Sequence, residues 1–353
     1  MNIQQIKTAI KKFRSADVSV IKDDALRAKA QKLQGKQGGF TLLELLVVIT
    51  LLATLATAAL VAYDGVGENA SAAAAANTAG TLDQGVRAYR AITQAYPNQW
   101  DNLSDPAAVG PAAGTDFIPA KLQEILGSVD ILKAMTTAGV VTDADGLQDY
   151  FEDKFGMDEI QHITALEPGL APNRQHNEGA NPGALETDIG KGYTHISILA
   201  SQANRADTGL PLNCQVGGQS ITATWSNGTL GTPGVANPNV INSINDGLST
   251  ERCNLVLALG FGGDAAQSTV DAAAGVIQAP AYSSKNVNPS EQYARYVGLF
   301  HLAKGDKARA EGDTGDTFSN LVASNFLARP RLLGFIDTEG NTIDANIASA
   351  NIQ

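Results

Sequence analysis

The sequence has few of the residues that build covalent or metal frameworks. Two cysteines and four histidines in 353 residues exclude a disulfide-dense scaffold and most multi-ligand zinc or cluster sites. No HExxH or GxSxG string occurs, and His162, His176, His195 and His301 show no metal-ligand spacing. Aromatic residues reach only 6%. Basic residues are outnumbered, 25 Lys and Arg against 36 Asp and Glu for a net charge of −11. That balance excludes a protein whose whole surface tracks nucleic acid, because phosphate binding needs a basic excess. Glycine, by contrast, is plentiful at 35 residues, a share above the usual roughly 7%, so loops are expected.

The charges are unevenly placed. Residues 1–39 hold nine Lys and Arg and three Asp, a net of +6, which leaves 16 basic and 33 acidic residues in 40–353, a net of −17. Between the two lies an uncharged run of 18 residues, Leu45 to Ala62. As a helix it spans about 27 Å, close to the hydrocarbon thickness of a bilayer, and it reads as a membrane-spanning or membrane-targeting helix. The Thr50, Thr54 and Thr57 hydroxyls can bond back to carbonyls one turn earlier. By the positive-inside rule the basic segment stays in the cytoplasm and the acidic bulk crosses. Ile3, Ile6, Ile10 and Phe13 share a helical face, so the leader reads either as an amphipathic helix on the anionic inner leaflet or as a solvated basic tail. Glu44 is the one charge at the head of the apolar run, and a carboxylate there costs about 1–3 kcal/mol unless a partner or the headgroups receive it.

Lys36 to Ile49, KQGGFTLLELLVVI, resembles the processing site and anchor of type IV prepilins and related pseudopilins almost word for word over 14 residues. The resemblance implies a membrane aspartyl peptidase that cuts after Gly39 and N-methylates the new terminus, Phe40. Cutting creates an α-amino group, positive at neutral pH with a reference pKa of roughly 7.7–8. In similar proteins the glutamate matching Glu44 meets the N-terminal amine of a neighbouring subunit, which sets axial register. An ordinary secretory signal, cleaved near Ala56-Thr57-Ala58, is the competing reading, but its apolar run is usually only about 7–15 residues. The chain departs from the family in three places: a 39-residue leader, Val61 where many members have proline, and Ala53 where many have glycine. Without those breakers the helix has less local cause to melt on assembly.

The organisation expected is a removed basic leader (1–39), a spine helix (40–96, with the transmembrane segment at 40–62) and a globular head (97–353). The spine reads as one helix from Phe40 to about Gln94, with a bend or break near Asp64–Gly67 and Pro97 as its stop. Leu82, Val86, Tyr89 and Thr93 form its apolar stripe. Tyr96-Pro97 and Leu103 loosely resemble the family's exit from spine to head. In the head, Pro119–Gly139 and Leu147–Phe155 have helical spacing, and Thr317–Leu327 looks helical. Strands are expected at Tyr193–Leu199, Ile221–Trp225, Asn254–Leu259, Tyr293–His301, Arg331–Asp337 and Thr342–Ala345, the last two around a Thr338–Asn341 turn. The fold class is therefore α+β: a long N-terminal hydrophobic spine packed on a head with an antiparallel β-sheet, as in type IV pilins. Gly, Asn and Pro crowd 168–190 and 226–250, where surface loops are expected.

Cys214 and Cys253 read as an extracytoplasmic disulfide or as two buried thiols. Asp143, Asp145, Gly146, Asp149 and Glu152 fall on calcium-loop positions three, five, six, nine and twelve, but Val141 replaces the first carboxylate; the alternative is a helix start with an acidic first turn. Leu259-Gly260-Phe261-Gly262-Gly263-Asp264 has the wrong spacing for a dinucleotide turn and reads as tight-turn glycines. Lys304, Lys307, Arg309, Arg329 and Arg331, beside Glu311, Asp313 and Asp316, read as a solvated face, with no nucleic acid expected. The function expected is a structural, non-enzymatic subunit of a type IV pilus-like filament, needing no cofactor. Its partners are further copies of itself, the prepilin peptidase and the pilus or type II secretion assembly machinery. Its location is the bacterial inner membrane as precursor, then an extracellular filament. The alternatives are a type II secretion pseudopilin in a periplasmic pseudopilus, and, from another class, a membrane-anchored enzyme or binding domain that borrows the anchor.

Overall fold

The computed structural model describes residues 3–34, 42–105, 109–111, 117–163, 186–189, 194–201, 203–204, 211–212, 214–225, 248, 252–307 and 319–351. The Gly, Asn and Pro-rich stretches 168–190 and 226–250 lie almost wholly outside these residues. The chain divides into two compact units, Met1–Gly65 and Val66–Gln353.

The first unit is helical. Helix α1 (Ile3–Ser15) and helix α2 (Asp24–Gln34) are joined by a short 3-10 turn, Val18–Val20. Gln34 Nε2 closes the pair by donating to the carbonyls of Phe13 (2.7 Å) and Ala16 (2.9 Å). Arg27 donates through Nε and Nη2 to Ile21 O, at 2.9 and 2.7 Å. Helix α3 (Leu42–Thr93) then begins and runs for 52 residues. The break expected near Asp64–Gly67 is absent, since helix hydrogen bonding continues through it. An isolated glycine costs only about 1 kcal/mol in a helix, too little to interrupt one this long. Nor does Pro97 stop it: the helix ends at Thr93, where Gln94 turns into the left-handed region at φ 62°.

The second unit is built on a sheet. Its described strands are β1 (Trp100–Asn102), β2 (Leu126–Asp130), β3 (Glu159–His162), β4 (Glu186–Asp188), β5 (His195–Leu199), β6 (Ala203–Asn204), β7 (Pro211–Leu212), β8 (Cys214–Val216), β9 (Gln219–Ser220), β10 (Arg252–Gly260), β11 (Val297–Lys307), β12 (Ser319–Leu321) and β13 (Phe326–Ile336). The helices after α3 are α4 (Ala120–Gln123), α5 (Ile131–Ala138), α6 (Ala144–Lys154), α7 (Gly263–Gln267) and α8 (Ile343–Asn351). The main sheet runs β13-β11-β10-β1-β3-β4, antiparallel except for the parallel pair β1 and β3. On the side away from β11, strand β10 is shared. Val256 and Leu257 pair with β5, which carries β2 beyond it, and Leu259 and Gly260 pair with β1. Strands β12, β8 and β9 form a separate small sheet, and β6 pairs with β7.

The spine segment of this unit packs on the sheet through Ala75, Ala79, Leu82 and Val86, all buried. Their spacing of four, three and four is one helical face. The stripe therefore extends toward Ala75, not toward Thr93, which is exposed. Small alanines let the helix approach closely, and Tyr296 Oη reaches the Ala75 carbonyl at 3.5 Å. The chain then turns in at Tyr96, whose hydroxyl accepts from Leu332 N at 2.9 Å. The scarce aromatics are concentrated here. Phe300 lies 4.9 Å from Tyr96, 5.0 Å from Trp100 and 5.6 Å from Phe155, all edge-on, the arrangement ring quadrupoles favour.

Several expected elements are different. Pro119–Gly139 is not one helix but α4, β2 and α5, because Leu126–Val129 are buried on both faces and pair with β5; a short apolar run supports either conformation. Asp130 ends the strand by capping α5, its Oδ1 accepting from Lys133 N at 2.9 Å. Ile221–Trp225 is not a strand. Trp225 is held by its backbone N–H to Leu126 O (2.9 Å) and its Nε1 to Ser128 Oγ (2.7 Å). Thr317–Leu327 is not helical; its described part is β12, a 3-10 turn at Ala323–Asn325 and the start of β13. Thr342–Ala345 pairs only through Thr342 with Ile336, and Ile343 begins α8. The buried carboxylate of Asp337 organises that turn, accepting from Glu339 N and Asn341 N at 2.9 Å each and from Asn346 Nδ2 at 2.8 Å.

Two glycines make opposite predictions. A Cβ on Gly260 would lie 1.7 Å from the hydroxyl of the fully buried Tyr293, whereas a Cβ on Gly80 would meet nothing within 4 Å. Thermal unfolding of the detergent-solubilised protein should show Gly260→Ala destabilised by about 1–3 kcal/mol. Gly80→Ala should be stabilised by about 0.5–1 kcal/mol through its helix position.

Candidate functional site

The apolar half of α3 is the most unusual surface of the chain. It is the one helix among the described residues long and apolar enough to cross a membrane. Every side chain from Leu42 to Val61 is exposed, Leu42 at 83% and Leu60 at 74%. Nothing in its sequence competes with the helix: the threonine hydroxyls bond back to Val47 O, Leu51 O and Ala53 O at 2.7–2.9 Å. Glu44 sits in the first turn, exposed, where the positive end of the helix dipole favours a carboxylate. Gly39 and Phe40, the expected processing residues, lie outside the described residues.

Cys214 and Cys253 are joined in a disulfide with Cα atoms 5.4 Å apart. Both are fully buried. The bond ties β8, and through it the small sheet, to β10 in the middle of the main sheet. Strand β8 pairs in parallel with β12 over Cys214–Val216, so one covalent link secures two chain segments that are distant in sequence.

The acidic segment is a helix, not a wrapped loop. Asp143 is the cap of α6, its Oδ1 accepting from Gly146 N at 2.8 Å. Asp145, Asp149 and Glu152 project from helical backbone, with Glu152 Oε1 accepting from Gln148 Nε2 at 2.8 Å. A calcium loop curls its ligands around the ion through the ninth position, whereas the helix starting at Ala144 sets positions four to twelve along one axis. Among the described residues no group of three or more His, Cys, Asp or Glu side chains converges as a metal site.

The histidines serve the sheet interior. Asn102 Nδ2 donates to His195 O at 2.9 Å and lies 3.4 Å from His162 Nδ1. Its Oδ1 accepts from Ser197 N at 3.1 Å, so one amide holds β1, β3 and β5 together. His301 Nε2 is 3.1 Å from Asn254 Oδ1. His176 lies outside the described residues. The glycines after β10 are tight-turn residues. Gly262 passes the Asp101 carboxylate so closely that a Cβ would fall 2.4 Å from Oδ2, and Tyr293 Oη donates to that oxygen at 2.6 Å. Burial beside Asp101 raises the Tyr293 hydroxyl well above its ordinary pKa. Asp101 and Asn102 belong to no motif, and sequence reading missed both. In the basic concentration Arg329 and Arg331 are exposed on β13, and Arg309, Glu311, Asp313 and Asp316 lie outside the described residues.

Two predictions follow from these groups. Burial lowers the pKa of His162 and of His301 to about 4, so the unfolded chain binds more protons than the folded one between pH 4 and about 6.5. The stability these neutral imidazoles support is complete above pH 6.5 and is lost as pH falls through that window, by about 3 kcal/mol for each. Urea unfolding against pH should show this slope, and His162→Gln with His301→Gln should flatten it. For the disulfide, alkylation of the native protein should label no cysteine, and reduction in denaturant should expose both. The reduced protein should unfold about 4 kcal/mol more easily by the chain-entropy estimate for a loop of this size.

Comparison with known proteins adds one finding. No curated protein and no solved structure matches the chain. A family model, the prokaryotic N-terminal methylation motif, matches residues 34–60. That stretch covers Gly39, Phe40, Glu44 and most of the exposed apolar half of α3. Residues 34–60 thus carry the prokaryotic N-terminal methylation motif, the type IV prepilin-like signal.

Proposed function

We propose that the chain is the precursor of a structural subunit of a type IV pilus-like filament. It is cut between Gly39 and Phe40 by a prepilin peptidase, methylated at Phe40, and held in the bacterial inner membrane by α3 until assembly moves it to the cell surface. The observation that carries this reading is the coincidence of the methylation motif with a helix half that the described residues leave uncovered. The large acidic head, about residues 97–353, favours a surface filament over the short periplasmic pseudopilus of type II secretion. The role assigns no catalysis to the chain and uses no cofactor.

The chemistry of assembly follows from two solvents. In the bilayer the apolar side chains already lie in hydrocarbon, so moving them into a filament core gains packing and not hydrophobic transfer energy. Selection of register then falls to charge. Cleavage leaves an α-ammonium on Phe40, four residues before Glu44. In a filament core of low dielectric, a neighbour's ammonium against Glu44 satisfies both ions, and a shifted register buries them apart. A buried pair adds little net stability, but separating one costs about 3–5 kcal/mol.

The test separates processing from assembly. Glu44→Ala and Glu44→Gln precursors should be cut normally, giving a Phe40 N-terminus by mass spectrometry. Neither should yield filaments in sheared cell-surface fractions viewed by electron microscopy. Normal filaments from either variant would remove Glu44 from the assembly role, and an uncut wild-type chain would overturn the whole reading.

A further inference from the structure

The folded leader points to a function of its own. Helix α1 places Ile6, Ala9, Ile10 and Phe13 within an arc of about 100° at 100° per residue. Ile6, Ile10 and Phe13 remain 39%, 47% and 45% exposed. Lys7, Lys11 and Arg14 line one side of this arc and Lys12 stands behind it, where long basic side chains extend past an apolar face to reach headgroups. The leader's three acids are engaged in its own fold. Asp17 accepts from Ser19 N at 2.9 Å and Asp23 from Ala25 N at 2.9 Å, each opening a helical turn. Asp24 pairs with Arg27 at 3.1 Å. Residues 3–34 hold eight basic and three acidic residues, so a net of five positive charges lies on these two helices and their connection.

The position of this pair names its partner. Seven residues separate Gln34 from Leu42, the first residue of α3, so the end of α2 is tethered within at most about 28 Å of the anchor's start. We propose that the leader docks on the anionic leaflet, α1 lying in the interface with its Ile and Phe face in the acyl boundary and its basic residues at the headgroups. Each basic residue near an anionic surface strengthens such binding by about fivefold, and the tether raises the effective concentration of lipid further. This rests on the membrane reading of α3, not on filament assembly, and its test involves no assembly.

The experiment uses the full-length precursor reconstituted in lipid vesicles. An environment-sensitive fluorophore is placed through Ile10→Cys, on the apolar arc, or through Thr8→Cys, on the opposite face; Cys214 and Cys253, being disulfide-bonded, do not react. The quenchers are lipids with nitroxide-bearing acyl chains. With phosphatidylglycerol present, the label at position 10 should be quenched at least about fivefold more than the label at 8. The effect should fade in pure phosphatidylcholine, with added salt, and in the Lys7→Glu, Lys11→Glu, Lys12→Glu variant. The salt series uses no charge variant, so it stands even if the charge reversal unfolds α1. Equal quenching at 8 and 10, or quenching indifferent to both lipid charge and salt, would overturn the proposal. Absence of quenching at both positions would also overturn it and would leave the leader to a protein partner.

Discussion

One helix in this chain must satisfy two different solvents. From Leu42 to Val61 its side chains are almost all apolar, and among the described residues nothing covers them. From Ala75 to Val86 only a narrow stripe is apolar, and the sheet covers it. An isolated apolar helix in water leaves about 1.5–3 kcal/mol of burial per large side chain unrealised. Apolar surroundings such as lipid would supply it. The motif at residues 34–60 marks the same boundary, since it joins a basic segment to that uncovered surface.

The head is arranged around the end of the same helix. Tyr96 is the junction: its ring stands edge-on to Phe300, Arg90 lies over its face at 4.3 Å, and its hydroxyl accepts from β13. Trp100, four residues on in β1, contacts Phe261, Phe300 and Phe335. A chain poor in aromatics thus spends several at the place where the spine, β1, β11 and β13 meet. Polar groups perform the comparable service on the other side of β1, where the Asn102 amide bonds twice to β5.

Legibility from sequence followed the length and uniqueness of each signal. The methylation motif and the long apolar helix were readable because charge and hydropathy are absolute there and do not depend on partners. Strands β10, β11 and β13 were found approximately, being long and rich in branched and aromatic residues. Strand β2 was misread because Leu122, Ile125, Leu126 and Val129 fit a helical period, and only pairing with β5 decides between the two. Asp101, Asn102 and Asp337 were invisible for a related reason. Their roles are created by backbone groups and side chains distant in sequence, which no local pattern encodes.

The disulfide has a consequence for how this protein can vary. It encloses the 38 residues between Cys214 and Cys253 in a covalent ring that persists when the chain unfolds. Lengthening an open loop costs only about 0.6 kcal/mol per doubling, and a ring closed in both states escapes even most of that. Length changes between Trp225 and Leu248 therefore leave the β8 and β10 anchor points joined, at little cost to folding.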